Sequence, residues 1–417
     1  IPCNLLGNRL YQGVRTGYFF PKGGLSMEIK ERVRAMEDEL VELRRYFHAH
    51  PEPSWKEFNT QKKIMTYLDE LGIPYVPSTT SGLVATLKGP HSSDHIIGIR
   101  ADIDALPIKE ETGAPYASEK EGTMHACGHD THITILLGTA KVLAAMKDEL
   151  TVTVRFLFQP AEEEIANSGA TYMKDEPLVK ECERLIALHI WSKIPVGTAS
   201  LRYGPVMSAA DTFDVYIEGK GGHGALPHQT IDPIVAGAEF VNALQTVVSR
   251  EVNPLEPAVL SVTTFQAGTT SNVIPASAHL SGTARTFSPT LREAYPGILR
   301  RVARGVGETS RAKIRTEYHF GPPPTINDAA CVDTGRRACE TVFGKDHVVD
   351  WELQMGGEDF AKYDNPKALL LLGGGFADAS RRYPQHSPHY DIDERALLLG
   401  VEYFAEYVRE WEKELSK

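Results

Sequence analysis

Val152-Thr153-Val154-Arg155-Phe156-Leu157-Phe158-Gln159-Pro160-Ala161-Glu162-Glu163-Glu164 begins as a buried strand and ends in carboxylates. β-Branched and aromatic residues dominate its first half, which suits a strand covered on both faces. An apolar helical run, Ile133 to Met146, precedes it. Further back, Val84 to Leu87 and Ile96 to Ile99 read as strands, and Arg184 to His189 follows as another. Strands alternating with helices from about residue 75 to 190 predict an α/β domain with a largely parallel sheet. Asp102 and Asp104, Glu162 and Glu163, and His189 all fall at or just past strand ends. Open α/β sheets bind ligands at that edge, so one crevice is expected to collect them.

Toward the N-terminus, apolar spacing over 28–48 predicts one amphipathic helix, stopped by Pro51 and Pro53, and a second covers about 57–71. Past residue 208 the pattern changes to β-α-β-β-α-β: Phe213–Glu218, helix 231–248, Ala258–Gln266, Ala278–Phe287, helix 291–306 with Pro296 inside, and Ile314–Phe320. That order is ferredoxin-like. Residues 209–320 are therefore expected as an insertion, with Gly321-Pro322-Pro323-Pro324 as the return linker. The chain then resumes α/β style, with a helix over 328–343, a core strand Ala368–Leu372 and a final helix over 393–414. The catalytic domain is expected over 27–208 and 321–417. Residues 1–26 lack periodicity and read as an expression tag or unstructured leader.

A length of 417 residues favours two domains, and 42% hydrophobic with 24% charged residues is ordinary for a globular protein. A net charge of −11 argues against nucleic-acid binding, and no apolar run reaches the roughly 20 residues needed to span a bilayer. Five scattered cysteines do not form a disulfide framework, which points to a reducing, cytoplasmic setting.

Met124-His125-Ala126-Cys127-Gly128-His129-Asp130-Thr131-His132 concentrates ligand chemistry at a helix start. The thiolate of Cys127 and the imidazole of His129 suit zinc or another late divalent metal. Alone, the pair also reads as a buried cysteine beside surface histidines. The acidic run at 162–164 also fits a helix N-terminus, but its place after a core strand favours a division of labour. Glu163 binds metal and Glu162 takes a proton from water. Asp104 is placed to orient a ligand imidazole, and Asp102 is either a ligand or such a support. His189 alone would pass for a core histidine, and either His386 or His389 for a surface one. In the insertion, the glycines around His223 expose it, and no phosphate-loop spacing is present. Asn272 and Arg285 are further polar candidates. Arg285 suits a substrate carboxylate, although a surface ion pair explains it equally.

MHACGHDTH, QPAEE, the histidine ending the ALHIW strand, GKGGHGALPH, SNVIP and HSPHYDIDE together resemble a group of dinuclear metal amidohydrolases. That group includes aminoacylases, hippurate hydrolases, thermostable carboxypeptidases and plant auxin-conjugate hydrolases. The resemblance runs from about Leu43 to Tyr403. It implies a zinc-peptidase-like α/β catalytic domain with an inserted ferredoxin-like α+β domain that serves as lid and dimer interface. It implies the ligands Cys127, His129, Glu163, His189 and His386, with Cys127 bridging two metals. Glu162 becomes the general base and Asp104 the supporting aspartate, while Asp102 is not carried over as a ligand. His223 resembles a histidine that reaches the other subunit's active site, which implies a homodimer. Asn272 and Arg285 resemble the residues that hold the substrate carboxylate. Relatives usually carry Leu before the last ligand, where this chain has Gln385.

The expected activity is hydrolysis of N-acyl amino acids with two divalent ions. Zinc is favoured by the donors, with manganese, cobalt or nickel as alternatives. The alternatives to that activity are a carboxypeptidase acting on short peptides and a catalytically silent metal-dependent binding protein.

Overall fold

A computed structural model describes residues 28–417. The expected leader, 1–26, lies outside the described residues. The main sheet has eight strands in the order Tyr75–Ser78, Gly82–Leu87, Thr153–Gln159, Ile96–Asp102, Arg184–Pro195, Lys367–Gly375, Ala199–Ser200 and Val348–Val349. Its centre is parallel: Ile96–Asp102 pairs with both Thr153–Gln159 and Arg184–Pro195, and Lys367–Gly375 continues on the far side. Gly82–Leu87 runs antiparallel to Thr153–Gln159.

The alternation of side chains along each central strand divides the core. Ile186, Leu188, Leu370 and Leu372 face the long helices on one side, whereas Leu185, Ala187, Leu369 and Leu371 face a smaller cluster with Met173, Val179 and Phe360. On the first side, helix His129–Ala145 packs against Glu37–Ala49 and Arg395–Leu415. This helix is buried almost all round, which explains why its sequence from Ile133 on is mostly apolar.

The second sheet contains Ala258–Ala267, Ser277–Thr286, Asp211–Glu218 and Lys313–His319, all antiparallel. In chain order this is 2-3-1-4, the ferredoxin-like arrangement. It has its own core, in which Phe213, Val215 and Ile217 meet Phe240 and Leu244 of helix Pro233–Thr246 and Leu299 and Val302 of helix Pro289–Ser310. Asp232 and Ser288 cap these helices by accepting backbone N–H bonds.

One local expectation is corrected. The single helix over 28–48 is two helices, Ile29–Arg34 and Glu37–Ala49. The break at Ala35 and Met36 lets the first piece lie on the C-terminal helix while Leu40 and Phe47 still reach the core. The segment after Glu164 forms three short helices, Ile165–Asn167, Gly169–Met173 and Pro177–Lys180. None of the described helices is long and apolar enough to cross a membrane.

Candidate metal centre

The parallel register brings the polar strand ends level. Asp102 pairs with Gln159, and Ile97 and Arg100 pair with Arg184 and Ala187, so His189 falls opposite Asp102 two residues further on. The Cys127–His129 turn closes over this edge. Gly128 has φ +88°, and a Cβ there would lie 2.3 Å from Ile190 Cγ2 and 2.6 Å from Tyr390 Oη. Only glycine lets this turn approach the His189 strand so closely. Two non-glycine residues also take left-handed backbone here: Ala161 (φ 52°), just before Glu162, and His386 (φ 64°). Such conformations gather at functional sites because the surrounding fold must hold them. At Ala161 the holding group is buried Glu57, whose carboxylate accepts the Ala161 N–H at 2.9 Å.

Among the described residues five triads of ligand atoms lie within 4.8 Å of one another, and two of them contain Cys127: Cys127, His129 and His189; and Cys127, Glu163 and His386. These two share Cys127. Its Sγ is 3.5 Å from His189 Nε2, and His386 Nε2 is 3.2 Å from Glu163 Oε1. Glu162 adjoins both groups, with Oε2 4.0 Å from His129 Nε2. His389 points away, its Nδ1 bonding to the Glu111 carbonyl at 2.9 Å. Gln385 donates to the Ile190 carbonyl at 3.0 Å, tying the His386 loop to the His189 strand.

The imidazoles of His129 and His189 are each oriented by their other nitrogen. His129 Nδ1 bonds to the Asp104 carbonyl (2.9 Å), and His189 Nδ1 to the Ile190 carbonyl (2.8 Å). That leaves the Nε2 atoms facing the centre. Asp104 also accepts from Ser54 Oγ (2.7 Å) and the Glu163 N–H (3.1 Å), so one carboxylate organises two donors. His132 is committed elsewhere: Nδ1 lies 2.5 Å from Asp102 Oδ1, and Nε2 accepts the Ile190 N–H at 2.8 Å. Asp102 also accepts from Arg100 at 2.7 Å, and its Oδ2 lies 3.7 Å from His129 Nε2.

The donor set fits divalent cations. His129 Nε2 is buried without a hydrogen-bond partner, which is costly unless something else occupies it. The local charge is negative. Burial would lower the His129 imidazole, but the charge of Asp102 and the hydrogen bond and charge of Asp104 hold it up at about 10. Burial, then the nearby carboxylates Glu163 and Glu162, push the Cys127 thiol well up. Burial, then Glu358 and Glu163, do the same to Glu162. A pocket that raises both a base and a thiol this way is one that a cation relieves.

Arg100, Glu358 and Asp359 escape the motif reading. Arg100 is buried and binds Asp102, Glu358 (3.1 Å) and Asp359 (2.6 Å), while the Asp359 N–H reaches Glu162 Oε1 at 3.4 Å. An arginine inside an apolar strand was the available signal, since buried charge demands partners.

His223, Asn272 and Arg285 lie on the smaller unit. His223 sits in a two-stranded ribbon, Gly222–His223 with Val273–Ile274, and the Gly224 N–H bonds to the Asn272 carbonyl at 2.8 Å, so these two sites are neighbours. His223 and Asn272 are exposed. Arg285 is on the open face of the four-stranded sheet, where its Nε donates to Thr283 Oγ1 at 3.0 Å. Among the described residues, no hydrogen bond or ion pair joins these three to the Cys127 cluster.

Residues 98–410 match the model of peptidase family M20/M25/M40. An N-acetylcysteine deacetylase of Bacillus subtilis is 40% identical over 377 residues, covering 89% of this chain and 97% of that protein. A thermostable carboxypeptidase of Saccharolobus solfataricus is 34% identical over 382 residues, 90% of this chain and 95% of that protein. A solved Bacillus subtilis structure, described as a dinuclear metal-binding peptidase of the M20 family, superposes with a TM-score of 0.79 at 36% identity, covering 90% of this chain and 98% of that one. The chain belongs to peptidase family M20/M25/M40 and is a hydrolytic enzyme.

Proposed function

We propose that this hydrolase cleaves the amide bond of N-acyl amino acids with two divalent metal ions. The carrying observation is the pair of ligand triads that share Cys127, flanked by the carboxylate of Glu162. His129 and His189 would complete one ion's donors, Glu163 and His386 the other's, with the thiolate of Cys127 as bridge. Zinc suits this mix of sulfur, imidazole and carboxylate. Bound metals supply Lewis-acid polarisation and acidify water at the site.

The chain's own groups do the rest. Glu162 takes the proton of the attacking water and returns it to the leaving nitrogen. Asp104 holds His129 in the tautomer that presents Nε2. His223, exposed on its ribbon, donates to the developing oxyanion of the other subunit in a homodimer, with residues 209–320 as lid and interface. Arg285 and Asn272 receive the substrate carboxylate. Cys127, Cys182, Cys331 and Cys339 are all free, which suits a reducing cytoplasm.

A panel of acetyl-, benzoyl- and peptidyl-amino acids tests the reading on metal-loaded protein. Faster cleavage of the acyl amino acids is expected. Preference for peptides makes the enzyme a carboxypeptidase, and no cleavage with any of zinc, manganese, cobalt or nickel makes it a silent binding protein.

A further inference from the structure

Arg44, on helix Glu37–Ala49, is completely buried, yet it touches neither proposed metal ligands nor the proposed base. Its guanidinium spends its donors on three carboxylates from two different places. Nε binds Asp130 at 2.9 Å, Nη2 binds Asp391 at 3.0 Å, and Nη1 reaches Glu394 at 3.4 Å. Asp130 directly follows His129 on the ligand helix. Asp391 and Glu394 follow His386 on the last loop. The two ends of the clamp therefore lie beside members of the two different triads.

The other contacts stiffen it. His48, one turn further along the same helix, places Nδ1 2.7 Å from Asp130 Oδ2 and Nε2 3.2 Å from Glu110 Oε1. Tyr116 donates to Asp391 Oδ2 at 3.0 Å, and its ring lies under the guanidinium with the centroid 4.9 Å from the Arg44 carbon. A planar fork can bind several carboxylates at fixed angles, which an ammonium cannot reproduce. A buried charge with this many anions also cannot be removed cheaply.

We infer that Arg44 is a positioning residue that sets the spacing of the two metal triads, by holding Asp130 beside His129 and Asp391 on the His386 loop with one guanidinium. The inference rests on the ligand assignment proposed above. It predicts that loosening the Asp391 end releases the His386 side of the centre while the His129 side stays intact.

The test is competition of the zinc-loaded enzyme against a graded series of chelators, with metal equivalents counted after each step. Asp391→Asn should weaken the second equivalent by about tenfold, the scale of a lost supporting contact, and leave the first unchanged. Arg44→Lys, which loosens both ends of the clamp, should weaken both equivalents. If that buried substitution prevents folding, Asp391→Asn, at the partly exposed end, still decides. In a His386→Ala background, which should bind a single strong equivalent, Asp391→Asn should have no further effect, because the loop then carries no ligand. The clamp is overturned if Asp391→Asn leaves both equivalents unchanged, or weakens metal equally with and without His386. If His386→Ala itself retains both equivalents at full affinity, the ligand assignment fails and the clamp with it, a result distinct from the first two.

Discussion

His129 and Asp104 meet twice: Nδ1 of the imidazole is 2.9 Å from the aspartate's backbone oxygen and 3.2 Å from its Oδ1. The same carboxylate receives the Glu163 N–H through Oδ2. One strand-end residue thus sets both an imidazole and a carboxylate that face the centre. Asp104→Ala should lower metal affinity by roughly 10–100-fold, the cost typical of a lost partner behind a ligand. Asp104→Asn should cost less than alanine, because an amide oxygen can still accept one of the two side-chain hydrogen bonds. Equilibrium dialysis with zinc measures both, and unchanged affinity in the alanine variant contradicts the role.

Gly128 predicts a steric failure. Alanine there would need left-handed backbone and would drive its Cβ into Ile190 and Tyr390. Gly128→Ala should destabilise the fold by about 1–3 kcal/mol through overpacking, with added backbone strain. It should also separate Cys127 from His189. Thermal denaturation and metal content check the two effects, and a variant as stable as wild type with full metal is the opposite outcome.

Glu57 predicts a pH dependence. Burial, then the charge of Asp104, push its carboxyl from 4.5 up to about 7. A carboxyl raised on folding stabilises the native state fully below its unfolded value, and that contribution fades as pH climbs through about 7. Glu57→Gln removes the titration. The Tm of wild type minus that of Glu57→Gln should therefore fall between about pH 4.5 and pH 7. A difference that stays flat or rises over this range contradicts it.

The α/β pattern was legible because buried strands and amphipathic helices differ in period, and the strand-end rule pointed Asp104, Glu162 and His189 to one edge. His386 was not separable from His389 by spacing. It took the family resemblance to prefer it, and the fold places it 3.2 Å from Glu163. Arg44 and Glu57 were illegible for another reason. Their partners lie far along the chain, as with Arg44 and Asp391, and no local pattern encodes such pairing. The break at Ala35 and Met36 carries no proline or glycine, so only packing against the C-terminal helix reveals it.

His223 acts in trans if the dimer proposal holds. His223→Ala alone should lower turnover by about 10²–10³, the cost of one oxyanion donor. Mixing it with Glu162→Gln protein should restore activity, because a heterodimer rebuilds one complete site from the two subunits. No recovery in exchanged heterodimers contradicts the trans assignment.

Arg285 should act on binding. Arg285→Ala should raise KM for N-acyl amino acids by about 10–100-fold, as expected for a lost charge-assisted pair of hydrogen bonds. Hydrolysis of the matching N-acyl amino acid amides, which lack the carboxylate, should change little. Equal losses on both substrates contradict the assignment.

The central claim is that Glu162 moves the proton while other residues hold the metal. Glu162→Gln, assayed for bound metal and for turnover of an N-acetyl amino acid on the same preparation, tests it most directly. Full metal occupancy with turnover reduced by at least about 10²–10⁴-fold is predicted, the range assigned to a positioned acid–base group. Turnover near that of wild type, or loss of metal in step with loss of activity, contradicts it.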